Sequence, residues 1–463
     1  MALIKSISGI RGTIGGKENE GLSPVAVVKF ASAYGTWIKQ RNNSTKRIKV
    51  VTGRDARISG NMVHTLVNQS LVGLGIDVLD IGLATTPTVE IAVTGENAQG
   101  GIIVTASHNP KEWNALKLLN ESGEFLQDSE GKAVLSIADE GRMEFADVDS
   151  LGEINNDDTW NKKHIEQVLR LEGVDISAIK NAGLTVVTDC VNSVGGLIIP
   201  DLLRALGVSK VVALFSEPNG DFPHNPEPLP ANLTAISEAV VKHKADLGIV
   251  VDPDVDRLAL VNEDGTMFGE EYTLVAVADY LLSINRGGNT VSNLSSTRAL
   301  SDVTENYGGK YAASAVGEVN VVNTMKETNA LIGGEGNGGV ILPALHYGRD
   351  ALVGIALFLS HLASSGKRCS DLRKGYPSYY MSKNKITLSS QINPENILEK
   401  VKAKYQNESL NTIDGLKIDF EDEWVHMRKS NTEPIIRIYT ESGSQKSADD
   451  LAKRFMDEIK VMS

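Results

Sequence analysis

Cysteine is scarce in this chain: Cys190 and Cys369 are the only two in 463 residues. So few thiols exclude a disulfide framework and fit a reducing compartment, and the expected location is cytoplasmic. Prolines number 14 against 43 glycines. That balance suits many strand-to-helix turns and argues against disorder. No uninterrupted apolar run approaches the ~20 residues that cross a bilayer. Residues 1–12 also lack the apolar core, about 7–15 residues long, of a secretory signal. Positive charge is in short supply too, with a formal net charge of −13. This speaks against general binding of nucleic acid or anionic membrane, although a local basic loop can still hold an anionic substrate. The length exceeds what one core supports, so roughly two to four domains are expected in a soluble intracellular protein.

What the chain does contain is organised around Thr105-Ala106-Ser107-His108-Asn109-Pro110. The run Gly101-Ile102-Ile103-Val104 before it predicts a buried strand. Asn109-Pro110 marks a turn, so Ser107 lies on a tight loop at a strand's carboxyl end, where open α/β sheets place ligand chemistry. A serine hydroxyl there is a candidate nucleophile, with His108 beside it. The plainer alternative is a turn with a helix cap.

Earlier in the chain, Ser8-Gly9-Ile10-Arg11-Gly12 sets an arginine between glycines, either as a ligand loop or as an ordinary hairpin. Ile48–Val51 reads as a strand, Gly53-Arg54-Asp55 as a turn, and Ser59 as the N-cap of a helix that Gly73 and Gly75 end. Strands alternating with helices predict a largely parallel sheet covered on both faces. Lys117 is the one charge in the apolar run Ala115–Leu119, which Glu121-Ser122-Gly123 turns into a hairpin. It either snorkels to water or serves as an acid or base of lowered pKa near Ser107. An acidic stretch from about Asp147 to Trp160 reads as a linker.

A second α/β unit follows, with strands at Leu184–Val187, Lys210–Phe215 and Leu247–Val251 and helices at Gly195–Leu206 and Ala231–His243. Cys190, at a strand end, reads as packed rather than reactive. The last strand runs into Asp252-Pro253-Asp254-Val255-Asp256-Arg257. Three carboxylates at alternate positions suit a hard, oxygen-seeking cation such as Mg²⁺ and would repel one another without one. An EF-hand loop competes, since Glu263 falls at its twelfth position, but Arg257 stands where that loop needs glycine. A solvated acidic turn is the other alternative.

The third unit starts near Val261, with a hairpin turn at Asn262–Gly265 and a helix over Tyr272–Ser283. Strands are expected at Thr290–Leu294, Tyr311–Val316 and Ala330–Ile332, and Gly317-Glu318 opens a helix to Glu327. Gly333 to Gly339 then places five glycines around Glu335 and Asn337, a loop that lets a small polar ligand approach closely. Another helix begins after Gly348-Arg349-Asp350. Past a polar break at Ser364–Arg368 the tail reads as strand, helix (393–405), two or three strands and a final helix (445–460). This is a small α+β domain with an antiparallel sheet. Inside it, Arg428-Lys429-Ser430-Asn431-Thr432-Glu433-Pro434 makes an anion cradle, with Arg437 close in sequence; the alternative is a capped turn.

With its four loops in this order, the chain resembles the α-D-phosphohexomutases over essentially its full length. The resemblance implies three related mixed α/β domains around a central cleft plus a C-terminal α+β phosphate-binding domain. The expected spans are 1–152, 153–260, 261–368 and 369–463. It implies that Ser107 is the phosphoserine that donates and recovers the phosphoryl group. Asp252, Asp254 and Asp256 would hold one Mg²⁺ per chain, with the Ser107 phosphate as a further ligand and Arg257 alongside. Arg11, Lys117 and His108 match catalytic positions near the phosphoserine. Glu335 matches the sugar-reading carboxylate, with Asn337 in the same loop. Arg428, Ser430, Asn431 and Thr432 match the loop for the phosphate that is not transferred. The implied chemistry passes through a hexose 1,6-bisphosphate, which also serves as activator, on a monomer or homodimer.

The sugar loop departs from the Gly-Glu-x-Ser-Gly-His pattern usual in the bacterial phosphomannomutase/phosphoglucomutase members, because Gly334-Glu335-Gly336-Asn337-Gly338-Gly339 lacks both serine and histidine. Val316-Gly317-Glu318 resembles the Val-Gly-Asp/Glu segment of the members that act on aminosugars. Ser295, just before the Thr297-Arg298 pair, stands where other members carry lysine. Losing a cation and keeping Glu318 suits a 2-ammonium sugar. The preferred expectation is therefore interconversion of glucosamine 6-phosphate and glucosamine 1-phosphate. A broad glucose and mannose phosphate mutase is the alternative, and a non-catalytic phosphosugar binder is the reading from another class.

Overall fold

The computed structural model describes residues 2–6, 9–17, 20–42, 47–388, 393–429 and 435–462. They fall into two units, Met1–Tyr280 with Asn337–Leu372 and Leu281–Gly336 with Arg373–Ser463.

The first unit contains two sheets. In the larger, the parallel strands Gly100–Val104, Lys49–Arg54 and Asp77–Leu83 lie side by side. An antiparallel edge of Trp113–Leu119, Gly9–Thr13 and Leu3–Ser6 extends it. Gly100–Val104 is buried throughout, as its continuous apolar run requires for a strand covered on both faces. The helix Pro24–Arg41 is capped by Ser23, whose hydroxyl accepts from the Ala26 amide. Its Val27, Phe30, Tyr34 and Trp37 share a core with Val63, Val67 and Leu71 of the helix Gly60–Gly73. In the second sheet Leu247–Val251, Thr185–Asp189 and Lys210–Leu214 are parallel, and Leu258–Asn262 returns antiparallel to Leu247–Val251. The carboxyl ends of Lys49–Arg54, Gly100–Val104 and Leu247–Val251 carry the loops that matter below. The apolar helix Ala351–Ser365 starts at Asp350, whose side chain accepts from the Leu352 and Val353 amides.

In the second unit Tyr311–Ser314, Thr290–Asn293 and Ile332–Glu335 form a parallel sheet. A separate antiparallel sheet runs in the order Tyr380–Thr387, Ile435–Ser442, Trp424–Lys429, Leu416–Asp419 and Ser409–Asn411. The helices Pro394–Lys404 and Gln445–Met462 close its core through Val401, Leu451, Phe455 and Ile459. This is the α+β tail that its pattern predicts.

Three expectations need correction. The stretch from Asp147 to Trp160 is not a bare linker, because Ile154–Asn156 pairs in parallel with Asp77–Leu83 and forms an edge of the first sheet. That sheet therefore runs past residue 152. A boundary at 260 would cut the strand Leu258–Asn262, which belongs to the second sheet. Ser59 stands at the N-cap position but its hydroxyl makes no capping bond; it accepts from the Asn114 side chain instead, joining the helix start to the strand after the Ser107 loop. Among the described residues no helix is long and apolar enough to cross a membrane.

Candidate active site

Ser107 follows the strand Gly100–Val104 with a backbone φ of +48°, in the left-handed region that non-glycine residues rarely adopt. Its neighbours hold it there. The Ser107 amide donates to Thr105 Oγ1 at 2.9 Å, and that hydroxyl donates to Asp55 Oδ2 at 2.7 Å. The fully buried Arg57 guanidinium makes an ion pair with Asp55 at 3.0 Å. It also donates to the carbonyls of Ser107, Asn109 (2.6 Å), Pro110 (2.7 Å) and Trp113 (3.0 Å). Arg11, on the hairpin strand Gly9–Thr13, donates to Asn109 Oδ1 at 2.8 Å.

The Ser107 hydroxyl donates to Asp252 Oδ2 at 2.8 Å, and His108 Nδ1 lies 3.2 Å from the same Oγ. Burial, and then Arg257 and Arg11, lower the His108 pKa to about 2, so its imidazole is neutral at physiological pH. Asp252, Asp254 and Asp256 are all fully buried and close enough for one ion to bridge them. Asp254 and Asp256 each have one oxygen held by protein, and Asp252 has its second oxygen held as well. Asp252 Oδ1 accepts the Asp256 and Arg257 amides at 3.1 Å each. Asp254 Oδ2 accepts from Thr86 at 2.6 Å and Lys117 at 2.7 Å. Asp256 Oδ2 accepts from Arg349 at 2.7 Å and Lys117 at 3.3 Å. Among the described residues, the other oxygens of Asp254 and Asp256 are buried without a hydrogen-bond partner. Two orphaned carboxylate oxygens beside a third carboxylate are a donor set that fits a hard divalent cation.

Lys117 is 7 % exposed, so it does not snorkel. Nor is its pKa lowered: burial opposes its charge, but Asp254 and Asp256 outweigh burial and raise the pKa. It is a resident cation of the carboxylate cluster. Asp252 moves the other way from Asp254. Burial, then Asp256 and Asp254, push Asp252 well up. For Asp254 burial is overcome by Lys117 and by its hydrogen bonds, and the pKa falls. Arg257 lies at the rim, its Nη1 3.9 Å from Glu227 Oε1, the same oxygen that stands 3.9 Å from His108 Nε2. Asn337 Oδ1 accepts from the Gly339 amide at 3.2 Å, which shapes the glycine-rich turn.

Behind the carboxylates is a second buried cluster. Asp350 Oδ2 meets His164 Nε2 at 2.8 Å and His346 Nε2 at 3.2 Å, and His346 Nδ1 lies 3.2 Å from Glu90 Oε2. Burial opposes a charged His346, but Asp350 and Glu90 overcome it and raise its pKa to about 10. A raised folded-state pKa stabilises fully below the unfolded value and is lost as pH rises through the folded one. The melting temperature should therefore fall progressively between about pH 6.5 and pH 10. In His346→Gln the total loss of stability across this range should shrink by an amount on the order of 5 kcal/mol. Thermal melts of both proteins across this range check it; parallel curves would refute it.

The second unit holds the other predicted residues. Glu335 is buried at the end of its strand and accepts from Asn293 Nδ2 at 3.0 Å. Glu318 begins the helix Glu318–Thr328. Asp414 ties this segment to the antiparallel domain. Its Oδ2 accepts the Val316 amide at 3.0 Å and pairs with Arg428 at 3.1 Å, and its carbonyl meets His426 Nε2 at 2.7 Å. Ser295 Oγ lies 2.8 Å from His426 Nδ1. Arg437 is exposed beside Arg428 in the strand register. Ser430, Asn431 and Thr432 lie outside the described residues.

Sequence reading missed Asp55, Arg57, Thr86 and Arg349. Asp55 and Arg57 had a usable signal, two opposite charges two residues apart just past a buried strand. Arg349 had a weaker one, an Arg-Asp pair opening an apolar helix.

Comparison with known proteins bears on the whole chain. Residues 3–144, 162–265 and 269–380 match the family models for the phosphoglucomutase/phosphomannomutase alpha/beta/alpha domains I, II and III, and residues 389–458 match the C-terminal domain. A phosphoglucomutase/phosphomannomutase of Thermococcus kodakarensis is 38% identical over 94% of this chain and 95% of its own. A phosphoglucosamine/phosphogalactosamine mutase of Sulfurisphaera tokodaii is 32% identical, with 97% of this chain and 98% of the relative covered. The crystal structure of a phosphoglucomutase/phosphomannomutase family protein from Burkholderia thailandensis superimposes with a TM-score of 0.84 at 26% identity, covering 99% and 97% of the two chains.

Proposed function

This chain belongs to the phosphoglucomutase/phosphomannomutase family, whose members are phosphohexomutases, and from that premise we propose that it interconverts glucosamine 6-phosphate and glucosamine 1-phosphate through a phosphorylated Ser107. The observation that carries the reaction is the Ser107 hydroxyl set 2.8 Å from Asp252, within a carboxylate triad that has two unpartnered buried oxygens.

In the first transfer the Ser107 Oγ–P bond breaks and a bond from phosphorus to a sugar oxygen forms, giving a hexose 1,6-bisphosphate. The attacking hydroxyl loses one proton and the serine oxygen gains one. The second transfer returns the other phosphate to Ser107. Asp252, Asp254 and Asp256 would hold Mg²⁺, which supplies charge neutralisation at the transferring group. Arg57 and Arg11 fix the loop, so Oγ is presented in one place. Lys117 balances two of the three carboxylates. His108, held neutral, gives the serine oxygen a hydrogen-bonding neighbour without adding a positive charge. Glu335 and Asn337 read sugar hydroxyls. Arg428 with Ser430, Asn431, Thr432 and Arg437 binds the phosphate that stays. The enzyme works in the cytoplasm as a monomer or homodimer.

The aminosugar reading rests on Glu318 and on what replaces the missing lysine. Ser295 is committed to His426, and burial brings the His426 pKa down to about 4, so neither adds a cation. A carboxylate at 318 then favours a 2-ammonium group. The relative from Sulfurisphaera tokodaii, named for two aminosugar phosphates, agrees with it. The relative from Thermococcus kodakarensis, named for glucose and mannose phosphates, supports the broader reading.

The test is kcat/KM for glucosamine 6-phosphate, glucose 1-phosphate and mannose 1-phosphate, with Mg²⁺ and a trace of hexose bisphosphate. A preference near 100-fold for the aminosugar, worth roughly 2.7 kcal/mol in the transition state, is expected. Glu318→Gln should lower that value about tenfold for the aminosugar and leave glucose 1-phosphate within about threefold. Equal values for all three sugars would make it a broad mutase. Saturable binding without isomerisation would make it a binder.

A further inference from the structure

Arg349 belongs to none of the four loops, yet it enters the carboxylate cluster from the start of a helix. Its Nη2 donates to Asp256 Oδ2 at 2.7 Å in a buried contact. It reaches there through the space above Gly339. A Cβ added at Gly339 would stand 2.3 Å from Arg349 Cδ and 3.0 Å from its Cγ. The Gly339 backbone itself has an ordinary φ, so the absence of a side chain there is explained by space and not by backbone conformation. A strand bridge between Ile341 and Arg349 fixes how the two segments meet.

Asp254 and Asp256 each have one oxygen held by protein and one left for a ligand, while Asp252 has one oxygen on backbone amides and the other on the Ser107 hydroxyl. For Asp254, Thr86 and Lys117 do the holding. Asp256 is held by Lys117 only at 3.3 Å, so Arg349, at 2.7 Å, is its closer partner. We propose that Arg349, admitted by the bare Gly339, is a positioning residue that locks Asp256 in one orientation and thereby sets the site's preference for small octahedral cations over larger ones. The proposal rests on the reading that the triad binds a divalent metal. Mg²⁺ demands near-ideal geometry at about 2.0–2.1 Å, whereas Ca²⁺ accepts irregular shells at about 2.3–2.6 Å, so a rigid carboxylate favours the former and a loose one the latter.

Charge and position predict different results. Removing a cation beside the site strengthens binding of every divalent ion by the same factor, because all carry the same charge. Releasing Asp256 changes the ratio between ions. The experiment measures Mg²⁺ and Ca²⁺ dissociation constants of the unphosphorylated full-length protein by competition against Mn²⁺, followed by electron paramagnetic resonance. The proteins are wild type, Arg349→Met, Arg349→Lys and Gly339→Ala. The last keeps every charge and displaces chiefly the arginine stem, with a milder contact of 3.2 Å on Asn337 Oδ1. The expected result is a shift of the Ca²⁺/Mg²⁺ affinity ratio of about tenfold towards Ca²⁺ in both Arg349→Met and Gly339→Ala, with partial recovery in Arg349→Lys. An unchanged ratio in Gly339→Ala, with thermal melting showing it folded, overturns the proposal even if Arg349→Met fails to fold. If wild type binds no Mn²⁺, or binds it equally well in Asp254→Asn, the metal reading itself fails, an outcome distinct from a constant ratio.

Discussion

Replacing Ser107 by alanine should lower turnover by about four orders of magnitude or more, because the proposed mechanism makes this residue the carrier to which the phosphoryl group returns. The fold should survive. Ser107 is buried, but among the described residues its side chain hydrogen-bonds only Asp252 and His108. The hydrogen bonds that set the loop come instead from its backbone and from Thr105, Asp55 and Arg57. Alanine inherits the φ of +48° and its strain, so stability should change by less than about 1 kcal/mol. Glycine at 107 relieves that strain and should stabilise the protein by about 0.5–1 kcal/mol while being equally inactive. This pair of variants separates chemistry from conformation. Coupled assays of turnover, thermal melts and a phosphoprotein mass measurement after incubation with hexose bisphosphate check all three points. Turnover within tenfold of wild type in either variant would remove Ser107 from the mechanism.

The contrast between Ser107 and Arg57 shows what the sequence made legible. Ser107 and the aspartates announce themselves because each motif is local. A strand, a turn and the reactive side chains lie within about ten residues, and strand ends are where such sheets place chemistry. The second sheet and the C-terminal antiparallel domain were readable for the same reason, through short-range periodicity. Contacts between distant segments leave no such mark. Arg57 meets the Ser107 loop across 50 residues, and Arg349 meets Asp256 across 93. Lys117 was visible as an isolated charge, but its state was not, since two carboxylates more than 130 residues away decide it. Ser59 had the right residue type for a cap and was drawn away by Asn114. The short strand Ile154–Asn156 reads as an acidic linker because two of its three residues are exposed and polar, and only pairing with Asp77–Leu83 makes it part of a sheet.

Arg57→Ala should lower turnover by about 100-fold, less than the loss of Ser107, and should be more damaging to the fold. The guanidinium is fully buried, stacks 5.1 Å from the Phe222 ring, pairs with Asp55 and supplies donors to four carbonyls of the loop and the strand after it. Truncation leaves the Asp55 carboxylate buried without its cation, and such a loss costs about 3–5 kcal/mol. It also frees the loop that holds Oγ in place, and a displacement near 1 Å costs about 100-fold in rate. The two effects can be separated. Asp55→Ala/Arg57→Ala removes the stranded charge as well as the cation, so it should regain part of the lost stability. It should regain none of the activity, because Thr105 loses its acceptor and the four carbonyls still lack donors. Arg57→Lys keeps the charge but not the fork, and one ammonium cannot serve Asp55 and four carbonyls at once, so most of the activity should stay lost. Denaturant unfolding and turnover of the four proteins decide the matter. If the double variant regains activity in step with stability, Arg57 acts only as the counter-ion of Asp55, and the loop is set by its own backbone.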